Sequence, residues 1–203
     1  ITKVSASTIT LAKGLAHAHY GGDTVEYEAY AGGPTLHLDQ RAEIGLLSRN
    51  VKVMGDDSSN TNGFGGHIMV MPGANAHLSN VELYQLGQRG IVARYPIHWH
   101  LNGETSGQYI ESSSIHKSFN RAVTVHGTSD VRVEDTVAYD IPGHAYFLEN
   151  GNEERNQFIR NLAINIYRPA PADAILASDF LFNEPQNRSP AAFPATAPVA
   201  PIT

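Results

Sequence analysis

Four segments of this chain, SNVELYQLGQRGIV, SSSIHKSFNRAVTV, EDTVAYDIPGHAYF and RNLAINIY, align under one another. The alignment puts Val81, Ile115, Val137 and Leu162 in one column at steps of 34, 22 and 25 residues. A unit of twenty-odd residues cannot bury its own apolar face, so it must stack on its neighbours as a solenoid. The units are rich in Val, Ile, Tyr and Thr, punctuated by Gly, Asn and Asp, which is the pattern of short strands and turns. About three short strands per unit predict an all-β parallel β-helix, with coils stacked about 4.8 Å apart. The longer first step fits a loop, LNGETSG, bulging from its coil. No amphipathic helix is evident.

Composition narrows what such a solenoid can do. A hydrophobic content of 41% supports one sizeable core, and 18 glycines with 11 prolines favour turns over long helices. The net charge of -6 leaves no basic footprint for nucleic acid, so an anionic ligand needs a local cationic patch. With no cysteine, any metal must be held by His, Asp, Glu or backbone oxygen. No apolar run is long enough to cross a bilayer. The chain opens at Ile1 without a signal-like segment and reads as a processed product or a piece of something larger. Residues 1–55 read as a β-rich N-terminal part, the end of an upstream β domain packed on the helix. Residues 56–179 read as the coils, and 180–203 as a flexible Pro/Ala-rich tail or linker containing an Asn187-Arg188-Ser189 glycosylation triplet.

Stacking makes residues at equivalent positions neighbours. AVTVH over AYFLE sets Val123 and Val125 against Tyr146 and Leu148, facing inward, and places His126 beside Glu149 on the outside. The preceding coil, GIVARYPIHWH, has two registers: matching Ile97 to Val125 stacks His98 on His126 on Glu149, whereas matching from Gly90 stacks Arg94 there. In the His-Trp-His strand both imidazoles, His98 and His100, share one face and Trp99 takes the other, toward the core. A second column of Arg89, Arg121 and His144 precedes the strands. Together the columns gather Arg, His and Glu on one outer face, a site for an anionic sugar.

His98, His100, His126 and Glu149 have the composition of a transition-metal site, since imidazole and carboxylate suit zinc and its neighbours. The same groups, with His144, can instead do acid-base chemistry without metal. Arg89, Arg94, Arg121 and Lys117 are the candidates for holding substrate. His17, His19, His37 and His77 read as solvated or structural. The loop GDDSSNTNG offers oxygen ligands but lacks the spacing of a calcium-binding EF-hand, and reads as a solvated turn. No nucleophile elbow, P-loop, dinucleotide fingerprint or zincin motif is present, and no organic cofactor is expected.

The strings RAEIGLLSRNVKVMG, GGHIMVMPGA, ARYPIHWHLNG, SIHKSFNRAVTVHGT and GHAYFLENGNEERNQFIRNLAI resemble the family of the cell-migration-inducing hyaluronan-binding protein and the cell-surface hyaluronidase. Fibrocystin-like proteins share parts of the region. The resemblance covers roughly residues 1 to 168. It implies a right-handed parallel β-helix following a glycine-named β domain, and an extracellular or cell-surface protein associated with calcium-dependent hyaluronan depolymerisation. It carries over to His98, His100, Arg121, His126, His144 and Glu149; the cysteines of animal relatives are absent.

Two functions follow as expectations. One is an enzyme on hyaluronan or another uronate-containing glycan, by elimination with an Arg or cation on the carboxylate and a His as base, or by hydrolysis shared between Glu149 and a histidine or metal. The other is a non-catalytic glycan-binding or spacing module of a larger surface protein. A cupin-like metal oxidoreductase fits less well, because stepwise repeats do not close a barrel.

Overall fold

The computed structural model describes residues 1–175, which form two compact units, 1–44 and 45 onward. The predicted tail at 180–203 lies outside the described residues. The first unit holds two small antiparallel hairpins, Lys3–Ser5 with Thr8–Thr10 and Val25–Glu28 with Thr35–Leu38. All of its residues but Gly33 are exposed, so it buries no core of its own.

The second unit is a parallel β-solenoid of three sheets. The first sheet stacks Ile68–Val70, Ile97–Glu104, Val123–Ser129 and Tyr146–Leu148. The second stacks His77–Ser79, Tyr109–Glu111, Arg132–Glu134 and Gln157–Ile159; the third stacks Val51–Met54, Val81–Tyr84, Ser114–His116, Val137–Pro142 and Leu162–Tyr167. Coil pairing thus begins at Val51, within the stretch that the sequence assigned to the N-terminal part. Helix is confined to one turn at Ser59–Asn62 and a 3-10 turn at Pro171–Asp173 among the described residues.

Period-two alternation fills the inside of each coil. Ile97, Trp99, Ile110, Ile115, Val123, Val125, Val133 and Ile141 are fully buried in one apolar cluster. Trp99 points inward as expected, and its indole Nε1 donates to Gln108 Oε1 at 2.9 Å, satisfying a polar atom that the core would otherwise strand.

Single residues turn the corners. Asn80, Ser112, Asp135 and Arg160 all sit near φ +50°, in the left-handed region, between the second and third sheets. The amides of the first three donate to Glu111, Glu134 and Ile159 carbonyls of the next coil at 3.0 to 3.2 Å, so the chain turns without losing its ladder. Gln85 and Lys117 repeat the device at the far end of the third sheet.

The observed register corrects the sequence alignment in two places. Val137 does pair with Leu162, but Ile115 pairs with Leu83 and Ala138, so Val81 and Ile115 are not in its column. In the first sheet Val123 and Val125 face Tyr146 and Leu148 as aligned, yet Ile97 pairs with Val123 rather than Val125. Neither anticipated register holds: His100, not His98 or Arg94, is the ladder partner of His126, while the His98 ring lies parallel to the His126 ring at 5.8 Å. Beyond this pair the ladder shifts register between His126 and Thr128, where the eight-residue strand Ile97–Glu104 carries one extra residue.

Candidate functional site

Three imidazoles meet on the first sheet. His98 and His100 are two apart on one strand and share a face, and His126 pairs directly opposite His100 one coil on. The Glu149 amide continues that ladder by donating to the Val125 carbonyl at 3.0 Å. Ligand atoms of His98, His100 and His126 all lie within 4.8 Å of one another. His100 Nδ1 and His126 Nδ1 share a hydrogen bond of 3.1 Å. Glu149 Oε2 is 3.8 Å from His98 Nε2 and 4.0 Å from His126 Nδ1.

The face points away from the coil interior but is not open. The side chains of His98, His126 and Glu149 are 0%, 1% and 3% exposed, and only His100 is half-buried. Burial pushes His98 down to about 3 and His126 down to about 4, so both rings are neutral at physiological pH. His98 Nδ1 donates to the Ala93 carbonyl at 3.2 Å, since a carbonyl only accepts. Ala93 holds that position at φ +66°, an uncommon conformation for a side chain with a Cβ.

The loop that carries Ala93 is clamped by Asn120. This buried side chain donates to the Gln88 and Ile91 carbonyls at 2.8 Å and accepts from the Arg121 amide at 2.9 Å. Glu153 pins the other side: its carboxylate accepts from the amides of Gly127, Asn150 and Gly151 at 2.8 to 3.0 Å, tying the turn after His126 to the loop after Glu149.

A cavity of about 500 Å³ lies on the wall of which Arg121 is part. Arg89, Arg121, Arg168 and His144 line it together with Phe119 and Tyr167. The predicted column of Arg89, Arg121 and His144 is therefore brought together. Burial, then the charge of Arg121, lowers the His144 pKa. The Arg121 guanidinium lies 4.4 Å over the Phe147 ring and 5.7 Å from Tyr95, whose hydroxyl it reaches at 3.5 Å. Tyr95 is fully buried, stands 5.0 Å from the His98 ring, and is pushed up to about 12 by burial and by the Glu149 charge. It bridges cavity and histidine cluster.

The remaining candidates sit elsewhere. Arg94 pairs with His67 at 2.7 Å and does not line the cavity. Lys117 turns a corner beside His116, on the third sheet. His77 stacks on Tyr109, and His37 pairs with Glu26 in the open. In the GDDSSNTNG loop Asp56 accepts from the Ser58 hydroxyl and the Ser59 amide just ahead of the one-turn helix. Sequence reasoning missed Tyr95, Asn120, Glu153 and His67. Only Tyr95 carried a signal, standing beside the histidine strand.

Calcium takes six to eight oxygen ligands. A cluster of three imidazoles and one carboxylate does not fit it; the donors match a borderline-soft transition metal.

A parallel β-solenoid with a buried His/Glu cluster beside an arginine-lined cavity is the class that fold and site define. The profile described as CEMIP beta-helix matches residues 63–196, and the chain belongs to that family. The match runs past residue 180, into the segment read from the sequence as tail. The chain is 40% identical to the cell surface hyaluronidase CEMIP2 of Homo sapiens over 146 residues, 63% of this chain and 10% of that protein. It is 42% identical to the cell migration-inducing and hyaluronan-binding protein of Mus musculus over 142 residues, 60% of this chain and 10% of that protein. A G8 domain-containing protein of Dictyostelium discoideum is 36% identical over 184 residues, 89% of this chain and 12% of the relative. The chain thus spans about a tenth of the length of these relatives. No helix among its described residues is long and apolar enough to cross a membrane.

Proposed function

We propose that this solenoid depolymerises an anionic, uronate-containing polysaccharide of the hyaluronan type, outside the cell or at its surface. One observation carries it: three arginines and a neutral histidine line one cavity of sugar-binding size. The names of the human and mouse relatives support the substrate class and the surface location.

The arrangement favours elimination. Arg89 and Arg121 hold the uronate carboxylate and drain charge from it, which acidifies the neighbouring C–H. Neutral His144 takes that proton; the electron pair forms the new C=C bond, the glycosidic C–O bond breaks, and the leaving oxygen takes a proton from solvent. His98, His100, His126 and Glu149 form the buried centre behind this wall, reached through Arg121 and Tyr95. Hyaluronan incubated with the purified chain should shorten and gain the ultraviolet absorbance of an unsaturated uronate. Arg121→Ala and His144→Gln should each lower the rate about 100-fold or more. Shortening without that absorbance moves the chemistry to hydrolysis, with Glu149 sharing the acid-base work; no shortening under any condition removes the enzyme. The burial of His98 and His126 favours a second function, a non-catalytic glycan-binding module, which binds hyaluronan oligosaccharides without turnover.

A further inference from the structure

His98 has a lone pair with nowhere to go. Its Nδ1 proton is committed to the Ala93 carbonyl at 3.2 Å, so in the neutral ring Nε2 is bare. That atom is buried without a hydrogen-bond donor, and it faces a carboxylate oxygen of Glu149 at 3.8 Å. A bare imidazole nitrogen sealed from water is costly unless an electron-pair acceptor meets it. The other two imidazoles converge on the same spot, with one ligand nitrogen of each of the three within 4.8 Å of the others.

We infer that His98, His100, His126 and Glu149 bind one divalent transition metal of the zinc class, with His98 ligating through Nε2. The inference stands apart from the lyase reading, whose chemistry lies at the arginine-lined cavity, and it sets the site apart from calcium. The ligand set is hard to reconcile with an oxygen-loving ion and natural for zinc. Support around it has the form that metal sites use: the second nitrogen of His98 donates to a backbone carbonyl, fixing tautomer and ring angle. That carbonyl belongs to Ala93, whose backbone is held at φ +66° in the loop clamped by Asn120. Metal–nitrogen bonds of about 2.1 Å require ligand nitrogens roughly 3.4 Å apart around a tetrahedral ion. His100 and His126 already stand at 3.1 Å, so the outermost pair closes by at most about 1.4 Å, within reach of a rotation of the ring planes.

The test is a titration of the chelator-treated chain with Zn²⁺, Co²⁺ and Ca²⁺, read by elemental mass spectrometry, thermal unfolding and, for Co²⁺, visible absorption. The expected result is one Zn²⁺ or Co²⁺ per chain, a raised Tm, a Co²⁺ spectrum of nitrogen coordination, and no shift with Ca²⁺. His98→Asn and His100→Gln should each weaken Zn²⁺ binding tenfold or more. His100 is half-buried, so His100→Gln still reports if His98→Asn does not fold. Failure of the wild-type chain to bind Zn²⁺ and Co²⁺, or undiminished binding in a folded His100→Gln chain, overturns the inference. Stoichiometric zinc without turnover of hyaluronan upholds the metal site and removes the lyase; turnover by a chain that binds no zinc does the reverse.

Discussion

His116 shows how a single side chain couples this fold to pH. It is buried on the third sheet, with Glu82 Oε1 3.0 Å from its Nε2, the Tyr84 ring at 4.9 Å, Tyr139 beside it one coil on, and Lys52 and Lys117 nearby. Burial, outweighing the Glu82 contact, lowers its pKa below 6.5. Burial acts to raise Glu82, but hydrogen bonds from Lys52, the Arg49 amide and His116 pull it below 4.5. Both signs agree. As pH falls below about 6.5 the unfolded chain takes up the His116 proton first, and stability drops; below about 4.5 the unfolded Glu82 does the same. The urea midpoint should therefore decline from pH 7 toward 5, and His116→Gln should flatten the slope by up to about 1.4 kcal/mol per pH unit. A variant with an unchanged slope would show that His116 titrates alike in both states. Asn120 matters at the same scale: Asn120→Ala strands the Gln88 and Ile91 carbonyls and the Arg121 amide, and should cost about 1–3 kcal/mol while loosening the loop behind His98, seen as faster amide exchange there.

At the scale of the element, each strand is held by the rungs above and below it. Ile115, between Leu83 and Ala138, has no freedom to relax, so Ile115→Ala should cost about 2–5 kcal/mol in denaturant unfolding. The alternation that buries Ile97 and Trp99 and turns His98 and His100 to the other face was legible directly, because side-chain direction in a strand follows from period two alone. Register was not. Two apolar residues fit an inward slot equally well, so Val123 and Val125 each satisfied hydrophobic matching to Ile97, and shifts of two leave every side chain on its face. The irregularity after His126 likewise has no local sequence mark. The corner positions are similarly hidden: Asn80, Ser112, Asp135 and Arg160 share a backbone conformation but no chemistry.

For the whole molecule, protection should divide by unit. Residues 1–44 expose nearly every side chain, whereas the strands at 97–99 and 123–125 sit at the centre of the coil core. Hydrogen exchange should be fast throughout the first segment and slowest in those two strands, approaching global unfolding. Equal protection in both would contradict that division. The sequence by itself determined the parallel solenoid, the inward tryptophan and which side chains could bear charge or bind metal, because repeat length and period-two alternation are local properties of the chain. Only the tertiary structure decided that His100 rather than His98 is the ladder partner of His126. It alone sealed the cluster from solvent, tied Ala93 to His98, and gathered Arg89, Arg121 and His144 around one cavity. Those facts depend on how coils of unequal length settle on one another, where the loops between strands fold back over the face, and no single coil contains that information.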